Sequence, residues 1–296
     1  MRIGFMMGYD KERMEFAKKV GFGSAELQAG AGSPFFPGNP DWEAKADEVK
    51  AAFAEMDIRI SCIAAFYMNH MDPQQEENGK RTVHGAIQLA ERMDVPIVAG
   101  FAGRIPNTPL EQSLPKFKEI WGEHAKFAEA HGVKIAFENC PMGPYHLPAS
   151  GINVMCTPAM WEFCFNEVPS SSLGLEWDPS HLICMFIDPI VSLRKFGDKV
   201  HHVHAKDAHV NHDLLAQYGI WYPGVIEHCH IGLGDTDWRL AVKELRRHGY
   251  KGDLNIEGWH DSVYRNQQGT PKGEDEGLII SYRYLSMCVA QDGIDV

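Results

Sequence analysis

The chain has 296 residues, enough for one large α/β domain or two small ones, and its 44% hydrophobic and 23% charged residues are ordinary for an ordered globular protein. A formal net charge of −12 argues against a partner held through a phosphate backbone, which needs a basic face. No apolar run approaches the ~20 residues of a membrane span, and the start MRIGFMMGYD lacks a signal-peptide layout. The seven cysteines are scattered with no CxxC pair, as in a reducing compartment. We therefore expect a cytoplasmic protein with neither a membrane nor a nucleic-acid partner.

Strand-like and helix-like stretches alternate along the chain. Residues 2–8 (RIGFMMG) read as a strand and 11–20 as a helix; 24–28 (SAELQ) as a strand and 42–56 as a strongly periodic helix. Residues 59–65 (RISCIAA) and 95–101 (VPIVAGF) are the third and fourth strands, followed by helices at 81–93 and 114–131. Residues 134–140 (KIAFENC) and 173–178 (LGLEWD) are the fifth and sixth, with helices at 158–166 and 189–196. Residues 200–206 (VHHVHAK) and 254–259 (LNIEGW) complete the set, with helices at 237–248 and 274–289. Eight βα units in ~250–300 residues predict a closed (β/α)8 barrel, a TIM barrel. A doubly wound sheet would need a Gly-rich phosphate turn after its first strand, which Met6-Met7-Gly8-Tyr9-Asp10 does not supply. With no linker to divide it, residues 1–296 read as a single barrel domain.

Three connections are long: 28–41, 66–80 and 207–234. In a barrel such loops lie on the catalytic face. Their aromatic residues Phe35, Phe36, Tyr67 and Trp221 could cover a ligand or anchor the loops.

The ends of strands five to eight carry ionisable residues where an aliphatic is expected: Glu138, Asp178 with His181, His204 with Lys206, and Glu257. Pro179 forces Asp178 into an extended conformation and ends its strand there. Any one of these residues alone could be a paired core group. Three acids and an imidazole aimed at one axis need a cation, because buried acids without partners are costly. That donor set is oxygen-rich and favours Mn²⁺ or Mg²⁺, with Co²⁺ or Zn²⁺ possible. His202 and His204 share a face of their strand; His204 is nearer the C-terminal end and is the expected ligand, with His202 behind it. Lys206, on the same face, could hold a substrate oxygen or pair with an acid.

The motifs FENCP (137–141), EWDPSH (176–181), HVHAKD (202–207), GLGDTDW (232–238) and NIEGWHD (255–261) resemble the xylose-isomerase-like barrel superfamily, and within it the sugar (phosphate) isomerase/epimerase family. The resemblance covers essentially the whole chain. It implies that Glu138, Asp178, His204 and Glu257 bind one divalent metal, and that His181 touches the substrate. The implied chemistry is isomerisation or epimerisation of a ketose or keto-sugar through a cis-enediolate, with Glu138 and Glu257 moving the proton. The substrate pocket would also draw on Lys206, His230 and Trp221. Ketohexose 3-epimerases of this family carry an arginine shortly after the strand-seven histidine, whereas residues 208–212 here are AHVNH. A metal-dependent lyase, acting like inosose dehydratase or eliminating the aglycone of a 3-keto glycoside, is therefore the alternative.

Apurinic endonucleases share the superfamily and use three metals, with histidines at the ends of strands three and four. Here those ends read Ala64-Ala65-Phe66 and Gly100-Phe101-Ala102, with His70 only in a loop, so a nuclease is disfavoured. A sugar-binding barrel without chemistry is disfavoured too, since all four ligand positions are filled. Barrels commonly associate, and a homo-oligomer is expected.

Overall fold

The computed structural model describes residues 1–145, 150–258, 260–269 and 272–290. Eight strands form the barrel: β1 (Ile3–Met7), β2 (Ser24–Gln28), β3 (Arg59–Phe66), β4 (Ile97–Gly100), β5 (Lys134–Glu138), β6 (Leu173–Trp177), β7 (Val200–Ala205) and β10 (Leu254–Ile256). They pair in parallel and close in the order β1-β10-β7-β6-β5-β4-β3-β2. The last two strands to close the ring, β10 and β7, share the register Asn255 with His204. Trp259, expected at the end of the eighth barrel strand, lies outside the described residues.

The outer layer consists mainly of α1 (Lys11–Val20), α2 (Trp42–Glu55), α3 (Glu76–Met93), α4 (Leu114–Ala130), α5 (Pro158–Glu167), α7 (Pro189–Phe196), α9 (Trp238–Arg247) and α10 (Gly273–Ala290). Helix starts follow local chemistry. Asp10 accepts from the Arg13 amide at the head of α1, and Asp188 from the Ile190 and Val191 amides at the head of α7. At the far end of α1, Gly21 takes the left-handed conformation (φ 107°) that closes a helix.

Three local features depart from the expectation. Helix α3 begins five residues early, at Glu76, which shortens the loop before it. A six-residue helix, α6 (Pro179–Cys184), follows β6 directly, because Pro179 fits the first helical position and Asp178 caps it. The long segment after β7 is an ordered arm: β8 (Asp207–Val210), α8 (His212–Tyr218) and β9 (Ile226–Cys229), with β8 and β9 antiparallel. Among the described residues no helix is long and apolar enough to cross a membrane.

The main core lies between the strands and the helix layer, where Trp121, Trp161, Trp177 and Trp238 are fully buried. Phe35 and Phe36 belong to this core and anchor their loop. Gly85 permits the close seating of Phe36, since a β-carbon there would meet its ring at 2.6 Å. Inside the barrel a small apolar cluster of Cys62, Ile97, Ala99 and Ala136 fills the β3–β5 side. The opposite side is polar.

Candidate metal centre and active site

Inward residues alternate along each strand, so Glu176 and Asp178, and likewise His202, His204 and Lys206, climb one face towards the C-terminal mouth. The upper layer brings together Glu138 from β5, Asp178 from the end of β6, His204 from β7 and Glu257 just after β10. All four are buried, and each offers a ligand atom within 4.8 Å of the others.

Two of those atoms are open. Asp178 Oδ2 and His204 Nδ1 are buried without a hydrogen-bond partner. Asp178 spends its other oxygen on the fold: Oδ1 accepts from the Ser180 amide (2.8 Å) and so caps α6. Asn139 fixes its backbone, donating to the Asp178 carbonyl and accepting from the Asp178 amide, both at 2.8 Å. His204 Nδ1 stands 3.5 Å from Glu138 Oε1 and 3.9 Å from Glu257 Oε2, separations typical of atoms that could share an ion. Three carboxylates, one imidazole and two unsatisfied donor atoms fit a divalent cation.

Helix α6 turns His181 back over this ring. Its Nε2 donates to Glu138 Oε1 (3.1 Å) and lies 3.2 Å from Asp178 Oδ2. Its Nδ1 meets the Tyr145 hydroxyl (2.7 Å), which also reaches His228 Nε2 (2.9 Å). Lys206 Nζ donates to Glu257 Oε2 (2.8 Å) and lies 3.9 Å from Asp178 Oδ2. Burial pushes against charge on Glu138, Asp178, His181 and Lys206, yet their pairing with oppositely charged neighbours wins. Glu138 is brought down to about 2 by His181 and His204. Lys206 is held above the usual lysine range by Glu257 and Asp178, so it is an ammonium at neutral pH.

A second polar layer lies beneath. His204 Nε2 donates to Glu26 Oε2 (2.8 Å), and the Tyr67 hydroxyl bridges Glu26 Oε1 (3.1 Å) and Glu176 Oε2 (2.8 Å). His202 Nδ1 lies 2.7 Å from Glu176 Oε1, and Asn255 Nδ2 is 2.8 Å from His202 Nε2. Burial and the neighbouring Glu26 push Glu176 well above the carboxylate range, while His204 and His202 bring Glu26 below it despite burial. The two carboxyl groups are thus pushed in opposite directions, Glu176 towards the neutral form and Glu26 towards the carboxylate.

The ring opens into a cavity of about 490 Å³, within the range that holds small-molecule ligands. Glu138, His181, Lys206, Glu257 and His260 line one half of its wall, and Met6, Ala29, Ala64 and Phe101 line the other. Tyr67 also borders it. The structure therefore gathers Glu138, Asp178, His181, His204, Lys206 and Glu257 in one place. It does not bring His230 or Trp221 to the cavity. The buried His230 ring bonds Ser281 Oγ (3.1 Å) and the Tyr264 carbonyl (3.3 Å), on the far side of the loop after β10. Trp221 is 75% exposed at the tip of the arm. His70 is buried beside α3, with its Nε2 on the Phe66 carbonyl (3.2 Å).

Sequence reasoning missed Tyr67 as a partner of the buried acids, and also Glu26, Tyr145 and His260. Glu26 had a signal: an acid at the middle of the otherwise apolar strand SAELQ. Tyr145 and His260 sit in irregular loops and had none.

A family model described as the xylose isomerase-like TIM barrel matches residues 14–279. The uncharacterized protein YfiH of Bacillus subtilis is 25% identical over 284 residues, covering 83% of this chain and 87% of that protein. Inosose dehydratase of Clostridium tetani is 25% identical over 166 residues, 54% of each chain. Among solved structures, the IolI protein with a bound zinc atom superposes with a TM-score of 0.72 at 17% identity, covering 98% of this chain and 99% of that one. The 3-keto-D-glucoside 4-epimerase YcjR of E. coli gives 0.71 at 17% identity, covering 97% and 100%. Given a family match across most of its length and a closed eight-stranded barrel, the chain belongs to the xylose isomerase-like TIM barrel family.

Proposed function

We propose that this barrel is a divalent-metal-dependent enzyme that isomerises or epimerises a keto-sugar or sugar derivative by proton transfer through a cis-enediolate. The observation that carries this reading is the pair of open donor atoms, Asp178 Oδ2 and His204 Nδ1, set among Glu138 and Glu257 in the cavity wall. Mn²⁺ is the cation the oxygen-rich set favours, and the zinc held by the similarly folded IolI protein supports a divalent ion in general. Such an ion would polarise neighbouring carbonyl and hydroxyl oxygens and stabilise the negative charge that forms when the α-proton leaves.

The chain's own residues supply the rest. Glu138 and Glu257 come from strands three positions apart around the ring, an arrangement that would let them approach a bound carbon from different sides. Each carboxylate has a second oxygen able to take or return a proton. Removal by one and return by the other inverts the carbon; use of one alone interconverts aldose and ketose. The Lys206 ammonium and the His181 imidazole line the cavity beside the acids and would hold substrate oxygens. YcjR, named an epimerase of a keto-glucoside, supports this reading by its fold.

A second reading, a metal-dependent lyase, is favoured by the relationship to inosose dehydratase. It uses the same proton removal, followed by loss of a group β to the carbonyl.

The test is proton NMR in D₂O after incubation with Mn²⁺ on a panel of ketoses, inososes and 3-keto glycosides. Deuterium at an α-carbon with a new epimer or aldose is expected. An enone or a released aglycone would establish the lyase instead, and no exchange on any substrate would sink both.

A further inference from the structure

The middle of the barrel interior is polar beside the histidines of β7. Cys62, Ala99 and Ala136 fill the other side, as a barrel core ordinarily would with apolar groups. Glu26 and Glu176 are fully buried among them, which is costly unless their placement serves something.

Two arrangements compete for that role. Glu26, Cys62, Glu176 and His202 also gather ligand atoms within 4.8 Å. This lower group is closed by hydrogen bonds of 2.7–3.1 Å, and none of its nitrogen or oxygen atoms is left open. The upper ring has the opposite character, with wider separations and open donors. The lower layer is therefore a support and not a second metal site.

Hydrogen-bond accounting shows what it supports. The Tyr67 hydroxyl lies 3.1 Å from Glu26 Oε1 and 2.8 Å from Glu176 Oε2, and so occupies the first oxygen of Glu26. That leaves Glu26 Oε2 as the acceptor for His204 Nε2–H at 2.8 Å. With the proton on Nε2, the Nδ1 lone pair faces the ring of acids.

We infer that Glu26, held by Tyr67, is a positioning residue that fixes the His204 ring and tautomer and so sets the affinity of the upper ring for a divalent cation. This rests on reading the upper ring as the metal site. Carboxylates that take the outer N–H of a ligating histidine typically contribute ~10–100-fold to metal affinity.

The experiment is calorimetric titration of Mn²⁺ into the full chain and its Glu26→Gln, Glu26→Met and Tyr67→Phe variants, with melting curves to check folding. Glu26→Met removes the acceptor and should weaken Mn²⁺ by ~100-fold; Glu26→Gln keeps an oxygen for Nε2–H and should lose only ~10-fold. In zinc-loaded protein labelled with ¹⁵N-histidine, the His204 Nε2–H signal should be protected in the wild type and in Gln, and exchange rapidly in Met. A folded Met variant that binds Mn²⁺ within twofold of wild type overturns the inference. If Met does not fold, Tyr67→Phe decides, with a severalfold loss expected and an unchanged affinity overturning it. Failure of the wild type to bind any Mn²⁺ would instead bring down the metal-site reading together with this one.

Discussion

The two mouths of the barrel make an instructive pair. The C-terminal mouth holds a cavity of about 490 Å³ and the N-terminal mouth one of about 420 Å³, so size does not distinguish them. The use of charge does. At the N-terminal mouth the fully buried Asp253 accepts a two-pronged bond from the Arg59 guanidinium, and further bonds from the Arg2 amide and the Ser24 hydroxyl (both 2.8 Å). Its carboxylate is saturated by the fold. At the C-terminal mouth Asp178 gives one oxygen to a helix cap and leaves the other open. A buried acid whose lone pairs are all used stabilises; one with an oxygen to spare is available to a ligand.

Exchanging the two aspartates for alanine is the strongest way to break that contrast. Asp178→Ala should abolish stoichiometric metal by atomic-emission analysis and cut kcat/KM by at least ~10³-fold, about 4 kcal/mol in the transition state. It should lower stability by only about 1 kcal/mol, through the lost cap of α6. Full activity in this variant would refute the ring. Asp253→Ala should do the reverse, costing about 1–3 kcal/mol of stability in urea melts because the buried Ser24 hydroxyl loses its acceptor. Its metal content should not change. A stable Asp253→Ala chain would show that the N-terminal mouth is not the structural one.

Within the C-terminal mouth, His181→Ala should keep the metal and lower kcat by ~10²-fold, about 2.7 kcal/mol. Loss of metal here would make His181 a ligand and not a substrate contact.

The last effect lies outside both mouths. Burial lowers His70 to about 4 and His124 to about 3, against an ordinary value of 6.5. The unfolded chain therefore takes up protons first as pH falls below 6.5. Stability should drop between pH 7 and 5 by on the order of 2 kcal/mol for each of the two. Replacing both by glutamine should flatten that part of the profile; an unaltered slope would place its origin elsewhere.

How much of this was legible in the sequence follows from where each signal resides. The barrel was visible because eight apolar runs and eight periodic helices repeat at local spacing, and Asp178-Pro179 writes its own strand end. Glu138, Asp178, His204 and Glu257 stood out as polar residues at strand ends, and the structure brings them together. The lower layer did not stand out. Glu26 meets His204 across 178 positions of sequence, a distance over which periodicity carries no information. Trp221 and His230 were singled out by residue type within a long loop, but the pairing of β8 with β9 sets where they go. That pairing carries Trp221 outward, and the contacts of His230 with Ser281 turn it towards the last helix. Short polar segments with no hydrophobic face leave such placements undetermined.

The division of the cavity wall also bears on how this protein can change. The ligand ring is built by β5, β6, β7 and the end of β10, and Asp178 and Glu26 are each tied into the fold as well. Met6, Ala29, Ala64 and Phe101, on β1 to β4 and the loops after them, touch the cavity without belonging to the ring. Substitutions there alter the shape offered to a substrate while leaving the chemistry in place. Drift in that half of the mouth is the inexpensive route to a new specificity, and drift in the other half ends activity before it can redirect it.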